Sequence, residues 1–244
     1  MSLTLTVLGC DGSHAGPGGA ASGYLVRSWD SGTSIWMDAG PGTFANLQRF
    51  CDPLALTAIV LTHRHLDHCV DVDGFVTAAR WVIGLPPRPI PVLAAPGVRA
   101  AVNGYDDEVL EWHEVGDGDG RDVGDLRLRF STTDHMVPTL AVRLDGADGA
   151  LGYSADSGPG WSFEALGPGV DLALCEATFG VDNEGSPGHM SGRQAGEMAR
   201  RSGVRRLVIT HRWPTVPADV VAHEAAEAFG GRVDAAAVGR GYSL

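Results

Sequence analysis

Short apolar runs, some alternating with polar residues and some continuous, recur along the chain between clusters of glycine, serine, aspartate and proline. LTLTVLG (3–9), SGYLVRS (22–28), SIWMDAG (34–40) and LTAIVLTH (56–63) have the pattern of strands. A later series, PVLAA (91–95), LRLRFSTT (126–133), TLAVRLD (139–145), ALGYSAD (150–156), DLALCEAT (171–178) and VRRLVIT (204–210), reads the same way. Helical periodicity is confined to about 43–50, 71–84, 97–104, 192–202 and 217–228. One helix start is sharply marked. Ser191-Gly192-Arg193-Gln194 has the form of a capping box, and Gly203 supplies the stop.

Strands crowd the first part of the chain, and helix and strand alternate in the last third. That order predicts an α/β fold built as a layered sandwich and not a regular doubly wound sheet. No repeat, low-complexity tract or proline/serine linker divides the chain, so residues 1–244 are expected to form one domain. The segment GDGDGRDVGD (116–125) is read as a flexible acidic turn. Its acids resemble a calcium loop only superficially, because the terminal glutamate and flanking helices of an EF-hand are missing.

Composition narrows the setting. Hydrophobic residues make up 44%, enough to fill a sizeable core, yet no run approaches the roughly 20 apolar residues needed to span a bilayer. The opening MSLTLTVLGC has no basic region before its apolar stretch, so the expected location is cytoplasmic, with no membrane partner. A formal charge of −12 weighs against a long nucleic-acid partner. The one basic run, RRSGVRR (200–206), sits at a helix end and reads as a solvated face. Cys10, Cys51, Cys69 and Cys175 are scattered without a CxxC, as expected of free, mostly buried thiols. Cys69 directly follows His68, but packing is its simpler role.

The chemistry concentrates in VLTHRHLDHCVD. His63 and His65 are two residues apart, so an extended segment projects both imidazoles from one side. Asp67 and His68 follow where the chain must turn toward a helix. Imidazole nitrogens and carboxylate oxygens are ligands for Zn²⁺, Mn²⁺ or Fe²⁺. Four such groups packed at a strand end would be costly as structure and are satisfied as ligands.

His63-x-His65-x-Asp67-His68 resembles the signature of the metallo-β-lactamase superfamily, and the family's other motifs follow in order. Asp38 in IWMDAG matches the acidic residue that braces the metal loop. His135 in STTDHMVP, Asp156 in GYSADSG and His211 in LVITHRW match the remaining ligand positions. The resemblance implies a four-layer αββα sandwich with its site at one edge between two sheets. It also implies two divalent metal ions, zinc first and manganese or iron as alternatives. His63, His65 and His135 would hold one ion, Asp67, His68 and His211 the other, and Asp156 would bridge.

Two further segments, LCEATFG (174–180) and PGHMSGRQAGEMARRSGVRRLVITH (187–211), are similar to the ribonuclease Z branch and its phosphodiesterase relatives. By that likeness His189 is a proton donor to the leaving group, Glu176 its orienting partner, and Asp67 a catalytic as well as a ligating residue. Only 20 residues separate His135 from Asp156, whereas ribonuclease Z enzymes carry a long tRNA-gripping arm there. The chain thus resembles compact, arm-less bacterial phosphodiesterases, including actinobacterial enzymes acting on cyclic nucleotides. The implied function is hydrolysis of a small-molecule phosphodiester, 3′,5′-cyclic nucleotides foremost, by metal-activated hydroxide.

Three rivals share part of the pattern: a tRNA 3′-processing endonuclease, a lactonase- or thioesterase-type hydrolase acting on carbon, and a non-catalytic scaffold that keeps metal for folding. The relatives imply a homodimer. His14, in the glycine-rich opening loop, is a candidate substrate contact, while His113 and His223 are read as surface residues. Trp36, Trp81, Trp112 and Trp161 could stack on a base, but they serve equally as core or interface residues.

Overall fold

A computed structural model of the chain describes residues 3–103 and 106–244. The first half builds one sheet from β1 (Leu3–Gly9), β2 (Gly23–Ser28), β3 (Thr33–Ala39), β4 (Ala58–Leu61), β5 (Ile90–Ala94) and β6 (Leu110–Glu114). Between them lie α1 (Thr43–Leu47), α2 (Leu66–Cys69), α3 (Asp71–Ala78) and α4 (Val98–Ala101). The second half builds another from β7 (Gly120–Val123), β8 (Leu126–Thr132), β9 (Leu140–Gly146), β10 (Gly149–Tyr153), β11 (Leu172–Glu176), β12 (Arg206–Thr210) and β13 (Val233–Ala235). α5 (Gly192–Arg201) and α6 (Ala218–Phe229) cover it, and the last strand, β14 (Gly241–Ser243), returns to the first sheet beside β1.

The two sheets share one plan. From β14 the first runs β14-β1-β2-β3-β4-β5-β6, with three antiparallel pairings and then three parallel ones. From β7 the second runs in order to β13 with the same sequence of pairings. In each, the switch to parallel pairing places several strand ends and their loops side by side, where open α/β sheets carry their ligands.

Alternation along each strand decides which layer a side chain joins. In β11, Leu172 and Leu174 face the core between the sheets, while Ala173 and Cys175 face Met198, Ala199, Val221 and Ala225 of α5 and α6. Strands covered on both faces must be apolar throughout, which is why LALC and LVI are unbroken runs. On the far side of the first sheet, Trp36 packs on Phe44 and Phe75, with ring centroids 6.1 and 6.3 Å away. The result is the expected four-layer αββα sandwich.

The capping box of α5 is present in full: Ser191 Oγ accepts from the Gln194 amide, and Gln194 Oε1 accepts from the Ser191 amide. Three sequence expectations need correction. The segment 116–125 is not simply a turn, because Gly120–Val123 pairs with β8 as an edge strand. The helix expected over 71–84 keeps α-geometry only to Ala78 and continues as a wider π-type turn over Ala79–Ile83. The helix expected over 97–104 is one turn, Val98–Ala101, and Gly104 lies outside the described residues.

Candidate metal centre

β4 ends at Leu61, and the next residues lead directly into α2. This places His63 Nε2 3.0 Å from His65 Nδ1. His135, on the loop after β8, brings its Nε2 to 3.2 Å from the same His65 nitrogen. Asp156, three residues past β10, sets Oδ2 at 3.4 Å from His63 Nε2 and 3.8 Å from His135 Nε2. Donors bound to a tetrahedral zinc at about 2.0–2.2 Å stand about 3.3 Å apart, so these four atoms match the edges of one such site.

A second group adjoins the first. His68 Nε2 and His211 Nε2 lie 3.6 and 3.3 Å from Asp67 Oδ2, and 3.2 and 3.3 Å from Asp156 Oδ1. Asp156 therefore turns one carboxylate oxygen to each group. His68 Nε2 and Asp156 Oδ1 are buried and have no hydrogen-bond partner among the described residues. Unpaired buried polar atoms are costly, and a shared cation satisfies both. The donor set fits divalent transition-metal ions.

The ring nitrogens facing away from this centre are held. Asp38 Oδ2 lies 2.8 Å from His68 Nδ1 and also accepts from Thr62 Oγ1 and the Tyr153 hydroxyl, each at 2.9 Å. Gly188 O accepts from His135 Nδ1 at 2.8 Å, and Thr178 Oγ1 accepts from His211 Nδ1 at 2.9 Å. Thr62 Oγ1 is 3.2 Å from His63 Nδ1. Such partners fix which imidazole nitrogen carries the proton and leave the inward one free to ligate.

Backbone conformation is spent at the same place. Among the described residues, the four non-glycine ones with left-handed backbone, Ser13, Asp38, Ala155 and His211, have φ of 65°, 57°, 50° and 54°. All four lie in or beside the loops that carry the site, where strain of this kind clusters. Gly40 is required for a different reason: a Cβ there would stand 2.0 Å from the Asp67 carbonyl, so only glycine lets the metal loop rest on the end of β3.

Above both groups stands His189, its Nδ1 2.9 Å from Glu176 Oε1. Glu176 is fully buried and also accepts from the amides of Ser157, Thr178 and Met190 and from Thr178 Oγ1. Its carboxylate is thus fixed in position. The His189 ring stacks on His211 at 5.4 Å and lies 5.1 Å from His135. Burial opposes charge on His189, but hydrogen bonding and attraction to Glu176 prevail and raise its pKa to about 9.

Electrostatics separates the histidines. Burial, with the neighbouring His68, lowers His63 to about 4, so it is a neutral imidazole. Burial opposes charge on His68 as well, but Asp156, Asp67 and Asp38 outweigh it and raise its pKa well above the usual value. Binding a cation among these carboxylates would displace that proton. Asp67 and Asp156 resist burial and stay ionised, held far below the usual carboxylate range by the surrounding histidines.

The centre opens into a cleft of about 360 Å³, whose walls add Ser13, Leu66 and Met136 to the ionisable groups. Larger cavities, about 380 Å³ beside His113 and Arg121 and about 440 Å³ beside Arg205 and Arg232, contain none of the described clusters of metal-binding donors.

The residues expected as metal ligands, proton donor and orienting partner are gathered here: His63, His65, Asp67, His68, His135, Asp156, His211, His189 and Glu176, with Asp38 beneath. His14 is exposed and does not line the cleft. His113 and His223 lie beside Glu111 and Glu227, as expected of surface residues. Cys69 is buried with its thiol donating to the His65 carbonyl, a packing role. Trp36 and Trp161 are core residues, and neither they nor Trp81 or Trp112 reach the cleft. Not foreseen were Thr62, Tyr153, Thr178 and Gly188. Thr178 closes the E-A-T segment and could have been read from it; Tyr153 had no signal, since its partner lies 115 positions away.

Residues 33–212 match the family model described as the beta-lactamase superfamily domain. The chain belongs to that superfamily. An uncharacterized protein of Mycobacterium tuberculosis is 34% identical over 250 residues, covering 96% of this chain and 90% of its own. The probable metallo-hydrolase YhfI of Bacillus subtilis is 30% identical over 244 residues, covering 97% and 98%. The crystal structure of YhfI superposes with a TM-score of 0.90 over 99% of each chain, at 26% identity. Ribonuclease Z of Mycobacterium bovis is 27% identical over 251 residues, covering 88% and 87%. Within that superfamily the chain is similar to YhfI and to ribonuclease Z-like members. Among the described residues, no helix is long and apolar enough to cross a membrane.

Proposed function

We propose that the chain is a phosphodiesterase acting on small phosphodiesters, 3′,5′-cyclic nucleotides foremost, with two divalent ions, zinc first. His63, His65, His135 and Asp156 hold one ion, and Asp67, His68, His211 and Asp156 hold the other. When bound, such a pair supplies Lewis acidity to a phosphoryl oxygen and lowers the pKa of a shared water toward about 7.

The observation that carries the reading is the His189–Glu176 pair above both donor groups. Cleavage of a phosphodiester expels an alkoxide, which needs a proton as the P–O bond breaks. Glu176 keeps His189 protonated and aims its other nitrogen toward the cleft, where the departing oxygen would sit. Asp67 and Asp156 stay ionised and line the same cleft. A carbonyl ester with a good leaving group makes no comparable demand for a strong, fixed acid.

Small substrates are favoured by the connection between His135 and Asp156. β9 and β10 fill it as a tight hairpin, leaving no segment to extend as an arm. Parallel assays of bis-p-nitrophenyl phosphate and p-nitrophenyl acetate on zinc- and manganese-loaded protein test the reaction class. Phosphodiester cleavage should dominate. Ester cleavage that exceeds it would assign the site to carbon chemistry.

A further inference from the structure

Leu66 and Met136 are 57% and 65% exposed, although each is sequence neighbour to a buried or half-buried residue of the metal centre. Leu66 stands between His65 and Asp67; Met136 follows His135. Both line the same cleft, where the other walls are imidazole, carboxylate and the Ser13 side of the opening loop. Single exposed apolar residues are ordinary on a surface; two on the lip of one polar cleft present a local apolar surface to whatever enters. Methionine adds a flexible, polarizable side chain that moulds to a flat ring.

Among the described residues, those that line the cleft include no fixed cation other than its histidines. The sequence contains no lysine. Arg64 is exposed and does not line the cleft; its Cδ lies 3.5 Å from the position a Gly97 Cβ would occupy. Arg212 donates to the carbonyls of Trp213 and Val216. A substrate carrying a second, terminal phosphate would find no arginine or lysine on the cleft wall to receive it.

We infer that Leu66 and Met136 form an apolar clasp that takes the face of a nucleobase, selecting singly charged nucleoside phosphodiesters over substrates without a base or with a terminal phosphate. This rests on the phosphodiesterase reading above and names the substrate features that the site distinguishes. Covering roughly 50 Å² of apolar surface corresponds to about a tenfold change in affinity.

The test compares adenosine 3′,5′-cyclic phosphate with the cyclic phosphate of a ribose that carries hydrogen in place of the base. It uses metal-loaded wild type, Leu66→Ala, Met136→Ala and the double variant. The wild-type preference in kcat/KM for the nucleotide should fall about tenfold in the double variant, mainly through KM. Equal wild-type rates on both substrates, or a preference unchanged by the substitutions, would overturn the clasp. Calorimetric binding of a non-hydrolysable adenosine cyclic phosphorothioate separates the two levels of inference. If no phosphodiester is cleaved, the reaction assignment fails; the clasp then stands if binding weakens in the double variant and falls if it does not.

Discussion

Glu176 and His189 face each other at 2.9 Å, with the carboxylate buried and four other donors holding it in place. Against the cost of burial, the Glu176 carboxylate favours the protonated form of the imidazole. A proton donor matters most when the leaving group is a poor one. His189→Ala should therefore slow hydrolysis of a cyclic nucleotide by about 10²–10⁴-fold. It should slow bis-p-nitrophenyl phosphate far less, because p-nitrophenolate departs without help. Equal losses on both substrates would remove the acid role.

The sign of the pH effect follows from the same pair. In the proposed reaction His189 acts in its protonated form, so its contribution would be present below its pKa and lost as pH rises through it. Glu176 raises that pKa. Glu176→Gln should move the alkaline limb of the pH–rate profile to lower pH. A limb that stays in place or moves upward contradicts the assignment, and circular dichroism of the variant checks that the fold is retained.

Asp38 joins the sheets, receiving the Tyr153 hydroxyl from the second sheet while bracing His68. Asp38→Asn should weaken the second metal site by roughly 10–100-fold in a calorimetric titration. Tyr153→Phe should cost about 1–3 kcal/mol in denaturant unfolding, because it leaves one buried acceptor bond unmade. An Asp38→Asn protein with two unaltered metal affinities would show that the brace is only structural.

Gly188 is left-handed at φ 76°, and a Cβ there would lie 3.0 Å from His135 Nδ1. Gly188→Ala should push His135 off its carbonyl partner and weaken the first metal site, with the second less affected. Metal stoichiometry measured after dialysis against a weak chelator reads the difference. Retention of both ions would place His135 outside the ligand set.

Chelation should lower the melting temperature, and zinc or manganese should restore it. Ligand at a thousandfold excess over its Kd adds about 4 kcal/mol of stability. Calcium should restore little, because five of the seven donor side chains are imidazoles and calcium prefers oxygen. A melting curve indifferent to chelator and metal would argue against any bound ion.

Much of this was legible in the sequence because the chemistry is local. His63, His65, Asp67 and His68 lie within six positions, and Ser191 and Gln194 mark their helix by side-chain type alone. Long-range relationships were less visible. Tyr153 reads as a core aromatic until the second sheet brings it to Asp38. The strand Gly120–Val123 sits in a glycine- and aspartate-rich segment of low strand propensity, and it forms only because β8 offers an open edge. The short helix after Gly97 ends early because Val102 returns to extended backbone and buries its side chain.

The most direct measurement is hydrolysis of 3′,5′-cyclic AMP, against a precursor tRNA, by protein loaded separately with zinc and with manganese. Metal-dependent conversion of the cyclic nucleotide to a monophosphate, with the tRNA left intact, is the result predicted. Accurate 3′ trimming of the tRNA with the cyclic nucleotide untouched would contradict it.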